Sequence, residues 1–160
     1  MAFLSHQPLS IDVLLELDDH PECGGLALFV GTVRDEHLGR KVTGLTYTAH
    51  EAVAARLIGE IEERTREKFG VPYCRIQHRL GKLAIGDLAI ICVVRAPHRA
   101  EAFEACRWAV DAVKHDVPVW KEEFYADGSS AFVEGCCIRD DFDDDPAHRH
   151  GHPHEDLKTA

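Results

Sequence analysis

An α+β sandwich of mostly antiparallel strands with packed helices is the architecture this sequence predicts, on three observations. Two long segments, 51–69 and 99–115, carry apolar residues at three- and four-residue spacing, the signature of helices with one buried face. Short segments rich in β-branched and aromatic residues come in pairs around them, bounded by turns built from Gly, Pro and Asp. The resulting order, αββαββαββ, lacks the regular alternation of one strand with one helix that marks a doubly wound sheet. At 160 residues the chain has room for one domain and a tail, divided at 1–139 and 140–160.

Ser10 is a suitable N-cap for a first short helix, in which Ile11, Leu14, Leu15 and Leu17 form an apolar stripe that ends before Pro21. Gly24 and Gly25 release the chain into a strand over 26–33, so uniformly apolar that it predicts cover on both faces. The charged stretch 34–41 reads as a loop longer than a tight hairpin needs, of a kind that often serves binding or gating. A strand over 42–48 alternates more clearly. In the helix over 51–69, Val53, Ala54, Leu57, Ile58 and Ile61 share a side, and Gly70-Val71-Pro72 ends it. Strands follow over 73–80 and 88–95, joined through Gly81 and a Gly86-Asp87 turn. Phe103, Cys106, Val110 and Val113, with alanines filling in, define the helix over 99–115. Pro118 cannot continue it, and 119–125 reads as a strand joined by the turn at 126–129 to another over 131–135.

The composition, 45% hydrophobic and 29% charged, is that of a globular protein, and no apolar run approaches the roughly 20 residues that span a bilayer. The first eight residues lack the basic flank and apolar stretch of a secretory signal, so a cytoplasmic location is expected. A net charge of −10 argues against nucleic acid as a partner. Much of that charge lies in 140–160, where seven acidic residues face two basic ones. There His148, His150, His152 and His154 alternate beside Asp143 to Asp145, a donor set for an adventitious metal. The tail reads as solvated and disordered, with no catalytic role and no metal assigned. The six cysteines show no framework spacing, and Cys92 and Cys106 sit in apolar patterns that make them core residues. Cys136 and Cys137 are adjacent, which in a strand points them to opposite faces.

Lys114 and Lys121 flank the segment most telling of function, Lys114-His-Asp-Val-Pro118-Val-Trp120-Lys121. Lys114 falls in the last turn of a helix and Lys121 on the strand leaving it, where Lys121, Glu123 and Tyr125 share a face opposite Trp120, Glu122 and Phe124. Two lysines held close lower each other's proton affinity, and burial beside the Trp would add to this, giving a base, acid or nucleophile near neutral pH. The plainer alternative is a helix-dipole partner and a solvated edge charge.

Three blocks together resemble one known family. Gly31-Thr32-Val33-Arg34 follows an apolar strand, Ala96-Pro97-His98-Arg99 opens a helix, and Lys114-x-x-x-Pro118-x-Trp120-Lys121 closes the series. In order and spacing they resemble the large, catalytic subunit of molybdopterin synthase, over about residues 24 to 135. The resemblance implies an α/β hammerhead-like fold. It also implies a sulfurtransferase that takes sulfur from the thiocarboxylated C-terminal glycine of a small sulfur-carrier subunit. The acceptor is cyclic pyranopterin monophosphate, which becomes the dithiolene of molybdopterin, and the assembly is a homodimer within a heterotetramer. No resident cofactor is implied. Lys114 matches the principal catalytic lysine and Lys121 the second, both also contacting substrate. Thr32, Val33, Arg34, His98, Arg99, Glu122 and Glu123 match substrate-binding positions. Arginine forks suit phosphate oxygens, and a residue at a helix N-terminus adds donors there.

One departure stands out: the family often carries a further arginine about where Cys136 stands, and Arg139 is displaced from it by three positions. Two other readings stay open on the residues alone. The lysine pair also suits a Schiff-base enzyme, and the His-rich tail suits a non-catalytic partner- or metal-binding module.

Overall fold

The two long amphipathic segments become helices, and the β-rich segments become two sheets, in the computed structural model, which describes residues 2–15 and 20–133. In chain order the described elements are β1 (Leu4–Ser5), α1 (Ile11–Leu15), β2 (Gly25–Thr32), β3 (Glu36–His37), β4 (Arg40–Ala49) and α2 (Glu51–Phe69). They continue with β5 (Tyr73–Arg79), β6 (Gly81–Leu83), β7 (Leu88–Ala96), α3 (Arg99–Asp116), β8 (Val119–Tyr125) and β9 (Ser130–Val133). The α+β class is as expected. The end of the predicted last strand, Cys136, Cys137, Arg139 and the whole of 140–160 lie outside the described residues.

The first sheet runs β1-β5-β7-β2; its pairs are antiparallel except β1 with β5. β7 is central, and from Ala89 to Val94 every residue is buried. One face of this sheet meets α2 and α3, where Ile58, Ile61, Cys92, Val94, Ala105, Ala109 and Val113 form the main core. Small residues on α3 bring that helix close, and the predicted packing of Cys92 and Cys106 holds, joined by Cys74. Glu62 is buried in α2 yet satisfied: its carboxylate accepts Arg75 Nη1 and the Ile76 N–H, each at 2.8 Å, tying the helix to β5.

The expectation that 26–33 is covered on both faces fails. β2 is the edge strand, with Ala27 and Phe29 toward the core but Leu26 and Leu28 exposed by 44% and 40%. The described residues of α1 pack with Val30, Leu9, Ile91 and Val93, toward one part of that face, and leave Leu26 and Leu28 outside the cluster.

The second sheet runs β3-β4-β8-β9, with β6 pairing β4 as well. The stretch expected as a long charged loop is instead a hairpin, in which His37 pairs with Arg40 around Leu38 (φ 49°) and Gly39 (φ 76°). Positive φ at both central residues makes a turn whose twist suits a hairpin, comfortable for Gly39 and strained for Leu38.

Candidate active site

A cleft of about 190 Å³ opens where the two sheets meet, lined among others by Thr32, Arg34, Tyr47, His78, Lys114, Lys121 and Glu123. Three cations therefore border one cavity in a protein of net charge −10.

Each element delivers its residue for a local reason. β2 carries a register shift at Gly31/Thr32, and a Cβ on Gly31 would stand 2.7 Å from Ile90 Cγ2, so only glycine lets the strand bend there. Past the bend Val33 is locked: its N–H donates to the Asp87 carbonyl at 3.1 Å and its carbonyl accepts the Gly86 N–H at 2.9 Å. With its side chain buried as well, Val33 is an anchor that sets the direction of Arg34. At the other wall, α3 ends with the Val117 N–H on the Val113 carbonyl, and Pro118 turns the chain at once into β8. That reversal brings Lys114 and Lys121 to the same cleft. Lys114 is exposed, its Nζ 5.9 Å from the centroid of the Phe29 ring, at the limit of a cation–π contact.

Lys121 is largely buried and its Nζ donates to Glu123 Oε1 at 2.8 Å. Glu123 Oε2 accepts His37 Nδ1–H at 2.7 Å and the Tyr125 hydroxyl at 3.1 Å. Burial alone would raise the Glu123 carboxyl, but the hydrogen bonds from Lys121 and His37 outweigh it and hold the group below the usual carboxylate range. Both carboxylate oxygens are thus engaged inside the protein. The face shared by Lys121, Glu123 and Tyr125 is as expected from strand alternation, and so is the opposite placement of Trp120. Trp120 is 53% exposed on that other side and does not cover the lysines, contrary to expectation.

The same alternation takes Glu122 away from the cleft, where its Oε1 accepts the Ser130 hydroxyl at 2.8 Å. His98 and Arg99 are also elsewhere, exposed at the N-terminus of α3 beside Gly24 and Glu101. At about 1.5 Å per residue, roughly 22 Å of helix separates Arg99 from Lys114. Of the expected residues, Thr32, Val33, Arg34, Lys114, Lys121 and Glu123 come together within one copy of the chain; Glu122, His98 and Arg99 do not.

Three further residues of the site escaped sequence reasoning. Tyr47 faces Lys121 across the β4–β8 ladder, and His37 reaches it through Glu123. His78 lines the cleft with its Nδ1 bonded to the Arg79 carbonyl at 2.8 Å, which fixes a hydrogen on Nδ1 and leaves Nε2 an acceptor when the ring is neutral. Burial pushes the imidazole below its ordinary range, the bond to the Arg79 carbonyl opposes this, and the charge of Lys114 adds to the lowering. Its edge meets the Tyr47 ring, centroids 4.9 Å apart. A signal for His78 existed, since it continues the inward series Cys74, Ile76 at strand spacing.

Comparison with known proteins accords with this geometry. The family described as MoaE protein matches residues 4–116. Molybdopterin synthase catalytic subunit 1 of Mycobacterium tuberculosis is 42% identical over 79% of this chain and 86% of its own. The molybdopterin synthase catalytic subunit of Pyrococcus abyssi is 41% identical over 81% of this chain and 86% of its own. The crystal structure of molybdopterin synthase from Staphylococcus aureus superposes with a TM-score of 0.78 at 30% identity, over 82% of this chain and 96% of that one. A family match across most of the chain, and relatives this similar over nearly their whole length, show that the chain belongs to the MoaE protein family, that of the molybdopterin synthase catalytic subunits.

Proposed function

We infer that this chain is the catalytic subunit of a molybdopterin synthase. It moves sulfur from the thiocarboxylated C-terminal glycine of a small carrier subunit onto cyclic pyranopterin monophosphate to build the dithiolene. The observation that carries the reading is the convergence of Arg34, Lys114 and Lys121 on one cleft. A monophosphate and a thiocarboxylate are both anions, and neither enters a small cavity without cations to replace its water. Arg34, with its planar fork, suits the phosphate. Lys121, fixed by Glu123, is a stationary positive charge for the pterin side. Lys114 is the more accessible amine and takes the proton-transfer or transient covalent role. Glu123 acts on substrate through Lys121, because its own oxygens are occupied.

His98 and Arg99 join the site from a second copy. They stand too far from Lys114 along α3 to serve the same cleft, whereas a second copy related by a two-fold axis can bring its own α3 N-terminus there, and the symmetry then completes both sites alike. The exposed apolar surface of Leu26, Leu28 and Phe103, next to that N-terminus, suits such a contact. Glu122 then keeps a structural part in the β8–β9 pair. A cytoplasmic location fits the free cysteines found among the described residues, Cys23, Cys74, Cys92 and Cys106.

The test is direct: the purified protein, given cyclic pyranopterin monophosphate and a thiocarboxylated carrier, forms molybdopterin. Binding of the carrier without product, under conditions where a known synthase turns over, would reject the reading.

A further inference from the structure

We propose that His37 is a positioning residue for this cleft: its Nδ1–H holds the Glu123 carboxylate ionised and oriented, so that Lys121 stays aimed at the substrate. The proposal rests on reading the cleft as the sulfur-transfer site, and it adds a residue that no motif of the three blocks contains.

The geometry is a buried relay. His37 lies on β3, 86 positions from Glu123 in the chain, yet their side chains meet at 2.7 Å and both are buried, 8% and 4% exposed. The residues opposite Glu123 in the two ladders are Leu45 on β4 and Ala131 on β9, and neither side chain donates a hydrogen bond. Its polar partners are Lys121 and Tyr125 on its own strand and His37 on β3. Beyond them, Arg40 stacks 3.5 Å over the Tyr125 ring and pairs with Asp127, while Arg34, Glu36 and Lys114 line the same cleft. Take His37 away and, of the hydrogen bonds to Oε2 among the described residues, the one from the Tyr125 hydroxyl remains. A buried carboxylate with one donor fewer takes up its proton more readily and is held in place by less, so Lys121, which still donates to Oε1, is aimed less firmly.

The hairpin itself points the same way. At its tip the apolar side chain, Leu38, is 88% exposed and its backbone sits in the left-handed region, while the polar His37 next to it is turned inside. This inverts the ordinary preference for burial and places strain at the turn, a cost that a hairpin serving only as connection would not carry.

The experiment compares wild type, His37→Leu and His37→Asn by two readouts. One is the carbon-13 NMR titration of the Glu123 carboxyl, and the other is the pH profile of kcat. Expected for His37→Leu are an upward move of the Glu123 midpoint and a parallel upward move of the acidic limb. At neutral pH, kcat falls on the order of tenfold, more than KM changes. In His37→Asn the side-chain Nδ2–H stands where Nδ1–H stood, so both midpoint and rate return toward wild type. A folded His37→Leu protein with an unchanged Glu123 midpoint would overturn the proposal. Should that variant not fold, nitrogen-15 NMR of the wild-type ring decides: Nδ1 carrying hydrogen throughout supports the relay, and a bare Nδ1 refutes it. A wild type without turnover would count against the sulfur-transfer reading, while the carboxyl titration still judges His37 by itself.

Discussion

Lys121 and Glu123, two positions apart on β8, point the same way and are joined by an ion pair of 2.8 Å that is largely out of water. An ammonium in such a place needs a partner, since an unpaired charge leaving water costs far more than the pair gains. The pair therefore fixes where the second lysine of the cleft can be, and with it the positive charge available to substrate.

Glu123→Gln keeps the shape and removes the charge. It is expected to lower kcat by about tenfold or more and to destabilise the fold by about 1–3 kcal/mol, read from turnover and urea unfolding. Because the carboxyl is held below its ordinary value of 4.5, its stabilisation is complete above that value and is lost as pH falls through the lower, folded-state value. The gap between variant and wild type should accordingly be full at neutral pH and close in acid. A gap that persists unchanged at low pH contradicts this assignment.

His78 gives a dependence nearer neutrality. Its folded-state value lies below the ordinary 6.5, so the unfolded chain takes up the proton first and stability declines as pH falls below 6.5. Replacing it by Gln should flatten that part of the curve. Equal slopes for both proteins between about pH 7 and pH 5 would show that the ring is not kept neutral.

The hairpin strain is also measurable. Leu38→Gly relieves the left-handed backbone at a position whose side chain touches little, and should stabilise by about 1 kcal/mol with activity retained. Loss of stability on this change would contradict the strain, since glycine's greater freedom in the unfolded chain would then outweigh any relief at the turn.

How much of the fold was legible in the sequence depends on the length of each signal. Nineteen residues of helical period give α2 its bounds, and Pro118 with the β-rich run after it gives β8. β1, β3 and β6 have two or three residues each, too few to show any period, and exist because a neighbouring strand offers them an edge. Of the site, the motif blocks identify the lysines and Arg34. Strand alternation already implied that Glu122 and Glu123 could not serve one cleft together. His37 was invisible, because its partner lies in another part of the chain and the contact is made by the fold.

The shared site predicts complementation. Arg99→Ala and Lys114→Ala are each expected to be impaired alone. Mixed in equal amounts and allowed to exchange, they should recover about one quarter of wild-type turnover, because half the dimers are mixed and each of those has one intact site. Mixed dimers that form without recovering activity would place both residues in the same copy's site.

The most direct measurement is molybdopterin formation from cyclic pyranopterin monophosphate and thiocarboxylated carrier, comparing wild type with Lys114→Ala at matched folding and carrier binding. Expected are product from wild type and a loss of about a hundredfold or more in the variant, the scale of a proton-transfer group. Turnover within a few fold of wild type in Lys114→Ala would contradict the assignment of sulfur transfer to this cleft with Lys114 at its edge.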